Sequence, residues 1–380
     1  MTGFRHTFSI ITRALNVNSA ADDSDGLAAD LADPDLDWSL LLRLADQEHV
    51  TGAFAVALRR RNLFDGLPRE AQQALRRRYF MGQEINTRIK SEAEEVVGLL
   101  NSVGCTPMIL KGGLFLFETP SDGIGGRVLR DLDMVVPLAD LEACVDIMQA
   151  AGYEPKDAEE RWTYHYRPLH HKERMVPVEL HIQAGEQRHF INAEEAWAHA
   201  VPVDVDGLKM VALSPEHRVM HNVFNSEIQD TGFLLGEVCL RQLIDLAAIC
   251  VRHEETLDWH SIDRHLKEQG MSRAFRARLL LVRKLLGAPV PEELDTNTLS
   301  ARFHLNHCLI QQKSPRLTYL TRWIAGVTAP LKPHHLDLTY ECGTRGISMH
   351  AHRVKHIFKV ISQHRGGIRE SLAKYGQSMQ

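Results

Sequence analysis

The chain has 380 residues, 44% of them hydrophobic and 24% charged, the balance of an ordinary soluble globular protein with room for two or three domains. A formal net charge of −5 gives no global attraction to nucleic acid or to a membrane surface, and no apolar run approaches the ~18 residues of a membrane span. Six cysteines without a Cys-x-x-Cys pair exclude a disulfide framework and a structural zinc site, and point to a reducing cytoplasm.

Residues 1–18 lack the apolar centre and cleavage site of a signal peptide, and 19–37 are rich in Asp and Ala. Residues 1–37 are therefore expected to be a loose leader with a short helix. From Trp38 to Asn62 apolar residues recur at helical spacing, and Pro68 opens a longer helical stretch through Leu100. Arg76, Arg77 and Arg78 within it read as a solvated face or as a phosphate or partner contact. Residues 38–104 form an N-terminal helical region, stopped by Gly104.

Residues 105–212 read as an α/β (α+β) core, a small mixed sheet with helices on one side. Pro107 to Leu110 is the first strand and Gly112 to Phe117 starts a short helix. The glycine-rich Asp122 to Gly126 either turns or lines a triphosphate. Asp131 to Val136 is the second strand, and Pro137 to Ala151 an amphipathic helix ended by Gly152. Trp162 to Leu169 and Met175 to Ile182 alternate as an antiparallel pair. A short helix follows Asn192, and a hairpin turns at Asp206-Gly207. Ser214-Pro215-Glu216 is a strong helix start. Residues 213–380 are a C-terminal helical region, clearest at Phe233 to Val251, Trp259 to Gln269 and Arg273 to Leu286. Its last stretch, Arg345 to Lys374, is basic and reads as a solvated helix or as a contact for RNA, an anionic protein or a lipid surface.

The chemistry centres on Asp131 and Asp133. Alternate strand residues share a face, so these carboxylates point one way while Leu132 and Met134 point the other. Two anions so close repel, and a magnesium ion would relieve the repulsion. Glu179 and His181 share a face of the strand Val178 to His181 in the same manner. If the two strands are neighbours, Glu179 is a third carboxylate; otherwise it pairs with Arg127 or Arg130. Lys111, Arg127 and Arg130 add cations suited to phosphates. His181 serves either a proton or the fold. His217 and His221, four apart on a helix, read as packing or pocket lining. The tract Tyr164-His165, His170-His171 and His189 has no zinc-ligand spacing. Asp245 either pairs with Arg241 or reaches the site. No nucleophile elbow, P-loop or dinucleotide fingerprint is present.

Leu110-Lys111-Gly112-Gly113, Arg127 four residues before Asp131-Leu132-Asp133, and Glu179-Leu180-His181 together resemble an uncharacterised bacterial nucleotidyltransferase-like family of the DNA polymerase β superfold. Trp38 to His49, Leu213 to His217, His221, Leu243 to Leu246 and Asp258-Trp259 extend the resemblance over roughly residues 35 to 290. It implies Asp131, Asp133 and Glu179 as catalytic residues that hold two Mg2+ ions. Lys111, Gly112, Gly113, Arg127, Arg130 and His181 would then meet a nucleoside triphosphate, with ATP the expected one. The implied reaction moves a nucleoside monophosphate to a hydroxyl or phosphate of a small-molecule, peptide or protein acceptor. Two alternatives stand beside it, an inactive accessory protein that keeps the fold and a protein-nucleotidylating regulator. One departure from the superfold is the long gap from Gly113 to Asp131, which contains Pro120 to Gly126.

Overall fold

Residues 3–18, 23–156, 166–185, 191–229, 232–311 and 348–355 are described by the structure, a computed structural model. Two helices, α1 (Phe4–Ala14) and α2 (Ser24–Leu31), occupy the stretch expected to be a loose leader. Ile10 and Ile11 of α1 have no exposed surface, so apolar burial ties the segment down. The helical spacing after Trp38 is divided between α3 (Trp38–Gln47) and α4 (Thr51–Arg60), with His49 at φ 57° in the turn. Helix α5 (Arg69–Ser102) is continuous over 34 residues, entered from Pro68. On its exposed side Arg78 Nη2 donates to Asp46 Oδ2 at 2.7 Å.

The core then alternates strand and helix: β1 (Met108–Ile109), α6 (Lys111–Glu118), β2 (Leu132–Val135), α7 (Leu141–Ala150), β3 (Glu154–Pro155), β4 (Leu169–His170), β5 (Val178–His181), α8 (Ala193–Ala198), β6 (Val201–Pro202) and β7 (Val211–Ala212). The seven strands form one mixed sheet in the order β3-β4-β5-β2-β1-β7-β6. The expected 162–182 hairpin is represented by the antiparallel pair β4 and β5, and Trp162 to His165 lie outside the described residues. The short elements follow their signals. Asn192 caps α8 by accepting from Glu194 N, and β6 and β7 pair antiparallel around Asp206-Gly207.

Alternation sorts the two faces of the central strands. Leu132, Met134, Val178 and Leu180 are at most 1% exposed and join α5, α6 and α7 in one apolar core. Asp133, Glu179 and His181 therefore lie on the opposite face.

Ser214 caps α9 (Pro215–Val223), accepting from His217 N at 3.2 Å, and a π-helical turn, Phe224–Gln229, prolongs it. Next come α10 (Gly232–Leu235), α11 (Leu240–Arg252), α12 (Trp259–Glu268), α13 (Ser272–Leu286) and α14 (Leu299–Gln311). The run Phe233 to Val251, expected as one helix, is broken at Gly236, whose φ of 66° stops α10. By its contacts the chain forms two compact units, Met1–Asp230 with Val238–Asn306, and Thr231–Glu237 with His307–Gln380. The first holds the sheet and the site described below. The described part of the second comprises α10, the end of α14 and a helical stretch at 348–355; most of the basic segment Arg345 to Lys374 lies outside the described residues. Among the described residues no helix is long and apolar enough to cross a membrane, and the described cysteines are free thiols.

Candidate functional site

Strands β2 and β5 run parallel in a register that places Asp133 opposite Glu179 and Val135 opposite His181. That register unites the two acidic strand patterns. His181 Nε2 lies 2.9 Å from Asp133 Oδ1 and 3.6 Å from Glu179 Oε2. Ligand atoms of Asp133, Glu179 and His181 all fall within 4.8 Å of one another, and among the described residues they are the one such group of His, Cys, Asp or Glu. Two carboxylate oxygens and an imidazole nitrogen suit a divalent cation, since oxygen donors hold magnesium and manganese and imidazole extends the range to softer ions. Asp131 stands immediately before β2, half-buried and outside this tight group. Burial, followed by the charge of Asp133, pushes its carboxyl up.

Asp133 itself is 1% exposed, yet ionised. Burial favours its neutral form, but the His181 hydrogen bond and the Lys111 charge outweigh it and hold the carboxyl well below its usual range. Lys111 Nζ sits 2.8 Å from Asp133 Oδ1. Burial would lower the Lys111 ammonium, and the Asp133 charge raises it instead. Lys111 has φ 45°, a left-handed conformation that costs a side-chain-bearing residue about 1–3 kcal/mol. That strain sits where β1 turns into α6 and its lysine meets the buried acid. The His181 imidazole is raised for the same reason: burial opposes its charge, while hydrogen bonds to Asp133 and Glu179 favour it.

The other predicted cations are placed differently. Arg127 Nε and Nη2 donate to Asp245 at 2.9 and 2.8 Å. Asp245 therefore pairs with Arg127 and not with Arg241, and the Arg127 guanidinium is engaged by protein. Gly112 makes room for that guanidinium, because a Cβ there would overlap Arg127 Nη1. Gly113 lies against Ile109. The loop before Arg127 is clamped by α5: Tyr79 Oη donates to Asp122 O at 2.6 Å, and Asn86 Nδ2 to Ile124 O and Arg127 O at 2.6 and 2.7 Å. A Cβ on Gly125 would stand 2.5 Å from Tyr79 O, so glycine lets the loop press onto the helix. Arg130 is exposed and its Nη2 lies 2.9 Å from His49 Nε2.

Lys111, Arg127, Arg130, Asp131, Glu179 and His181 line a cavity of ≈ 1190 Å³ between the acidic sheet face and α4, α6, α9 and α11. Glu118 on α6 anchors one wall, its carboxylate accepting two bonds from Arg218 at 2.8 and 2.7 Å and forming an ion pair with Arg252 Nη1 at 2.9 Å. The Glu118–Arg218 pair is not singled out by sequence patterns, and Arg241 enters there only as a partner for Asp245 and His49 only as the end of a resembling stretch, because each meets its neighbours only through the fold. The two helical histidines part company. His217 Nε2 lies 3.9 Å from Glu195, whereas His221 lines the cavity beside Lys111. His165 and His189 lie outside the described residues.

Burial, then the Lys111 ammonium, pushes the His221 imidazole down to about 3. The unfolded chain takes up this proton near pH 6.5, so the folded state is relatively most stable above that pH and loses stability as pH falls from 6.5 toward 3. His221→Gln is expected to flatten this acid limb, by about 2 kcal/mol at pH 5 relative to pH 7. Urea midpoints across that range measure the difference.

A family model described as an uncharacterised nucleotidyltransferase matches residues 34–287. No curated protein and no solved structure matches the chain.

Proposed function

This chain belongs to the uncharacterised nucleotidyltransferase family, and from that premise we propose that it moves a nucleoside monophosphate from a nucleoside triphosphate, ATP first among them, to a hydroxyl or phosphate of an acceptor. The observation that carries the proposal is the convergence of Asp133, Glu179 and His181 within 4.8 Å, with Glu179 and His181 on the wall of the cavity and Asp133 buried behind them. Magnesium ions held by Asp131, Asp133 and Glu179 would supply Lewis-acid charge to the phosphoryl oxygens. His181 and Lys111 hold the Asp133 carboxylate in place. Glu179, 25% exposed at its side chain, is the acid able to reach an acceptor and take its proton. The acceptor oxygen forms a bond to the α-phosphorus, the bond from that phosphorus to the bridging oxygen of the β-phosphate breaks, and pyrophosphate leaves. Lys111 and Arg130 meet the phosphates, while Arg127 acts by fixing α6 to Asp245. A cavity of ≈ 1190 Å³ exceeds the ~300–1,000 Å³ of a single-ligand pocket, room for an acceptor beside the nucleotide.

A second reading, an accessory protein that binds without turnover, is favoured by one contact. Lys111 and His181 already balance Asp133. One experiment separates the two. Mn2+ binding is followed by electron paramagnetic resonance, and pyrophosphate release and intact mass are followed with each common triphosphate and magnesium. A transferase shows saturable Mn2+ binding that Glu179→Gln weakens, and pyrophosphate release with an acceptor; a mass gain of one nucleoside monophosphate identifies the chain as its own acceptor. Absence of both Mn2+ binding and pyrophosphate favours the accessory protein.

A further inference from the structure

Four of the cations around the cavity are matched by acids: Lys111 by Asp133, Arg127 by Asp245, and Arg218 and Arg252 by Glu118. Arg130 and Arg241 differ from these four. Neither makes an ion pair within 4.0 Å with any described residue. Arg130 Nη2 meets only the imidazole Nε2 of His49, at 2.9 Å. Arg241 Nη1 makes a long bond to Val128 O at 3.3 Å, and its Nε is buried without a hydrogen-bond partner. A buried guanidinium N–H left unsatisfied is costly, and all three side chains line the same cavity.

His49 ties the cluster together. It follows the last turn of α3 with φ 57°, a position where glycine is the easier residue. Here the left-handed turn carries a side chain, and that side chain faces Arg130. Burial, then the charges of Arg130 and Arg241, push the imidazole down, so His49 is neutral and accepts from Arg130 through Nε2. Two guanidiniums close enough to act on one imidazole repel each other, and an anion between them removes the repulsion. Planar guanidiniums with several N–H groups match phosphate oxygens. Arg130 directly precedes Asp131 in the chain, and Arg130, Arg241 and Asp131 line the same cavity, which places the cluster beside the acidic group.

We infer that Arg130, Arg241 and His49 form a phosphate-binding subsite on the cavity wall, next to Asp131. Its position admits two sources of phosphate, the tail of the nucleoside triphosphate and a phosphorylated acceptor. The assignment of source rests on the transferase reading; binding of phosphate does not. Arg130 and Arg241 donate to the anion, and His49 orients Arg130.

Calorimetric titration of inorganic tripolyphosphate, ATP, AMP and inorganic phosphate into the full chain, Arg241→Gln and Arg130→Gln provides the test. Arg130 is exposed, so its variant keeps the fold even if Arg241→Gln does not; circular dichroism and thermal midpoints verify both. Each substitution is expected to weaken tripolyphosphate and ATP by about tenfold or more, the worth of a charge-assisted hydrogen bond, and to leave AMP unchanged. That pattern assigns the triphosphate tail. Weakening of inorganic phosphate alone, with ATP unaffected, supports the subsite and assigns a phosphorylated acceptor. Wild-type affinities in a folded Arg130→Gln chain for all four probes overturn the subsite. Tripolyphosphate binding that depends on Arg130 in a chain without pyrophosphate release would leave the subsite standing and reject the transferase reading alone.

Discussion

Asp133→Asn is expected to lower pyrophosphate release by about a thousandfold, the largest loss predicted for any single substitution in this chain. The substitution preserves shape and removes one charge, and that charge is the point on which the site converges. His181 Nε2 at 2.9 Å and Lys111 Nζ at 2.8 Å both rest on the same Oδ1. Without the anion, the largest influence raising the Lys111 ammonium disappears, and the charges of Asp131 and Glu179 are left to oppose burial, which lowers it. A divalent cation would lose its most buried carboxylate, and Asp131, half-buried outside the tight group, would not restore it. Thermal unfolding distinguishes chemistry from collapse. The Lys111 side chain is 29% exposed and can turn toward water, so the loss of stability should stay near 2 kcal/mol. Glu179→Gln should weaken Mn2+ binding and release with a smaller shift in unfolding, since Glu179 is partly exposed. A folded Asp133→Asn chain with wild-type Mn2+ affinity and release would remove Asp133 from the machinery altogether.

Much of this centre is legible in the letters because strand alternation is a local rule. Glu179 and His181 flank Leu180 within β5, so this pair must share a face once the strand forms, whereas Asp131 falls just before β2 and alternation reaches only Asp133. The observed register, Asp133 opposite Glu179, adds the one fact that local pattern lacks. What stayed hidden is long-range or stereochemical. Arg127 and Asp245 are 118 residues apart, and nothing in either neighbourhood announces the other. His49 and Lys111 adopt left-handed turns without glycine, so the usual signal for such a turn is missing. Gly125 lies in the loop that either turns or lines a triphosphate, and Gly112 meets the nucleotide only by family resemblance; in the fold one lets the loop press onto Tyr79 and the other makes room for the Arg127 side chain. The break at Gly236 is hidden by apolar residues that keep helical spacing on both sides of it.

The second large effect lies away from the acids, at the charge cluster that braces the cavity wall from behind. Arg278 on α13 is 1% exposed, and Nη1 donates to Glu227 Oε1 at 3.2 Å. Its Nε and Nη2 lie 3.3 and 3.2 Å from Asn222 Oδ1, and His304 Nε2 lies 3.7 Å from Glu227 Oε2. Glu227 belongs to the π-helical turn, where the wider winding changes which side chains face inward, and a glutamate there meets the buried guanidinium. Arg278→Met is therefore expected to cost about 3–5 kcal/mol, because Glu227 would be left charged and buried. Chemical denaturation reads this directly, as an earlier midpoint at unchanged slope. Adding Glu227→Leu to Arg278→Met should recover at least half of the loss, since removing both charges leaves no uncompensated ion. The cluster also reaches the site. Asn222 and His221 are neighbours on α9 and both line the cavity. Loosening Arg278 should thus weaken tripolyphosphate binding less than Arg130→Gln does, because it disturbs the wall and leaves the anion-facing arginines in place. Equal denaturation midpoints for Arg278→Met and the wild-type chain would show that packing of α9 on α13 holds the wall without the buried ion pair.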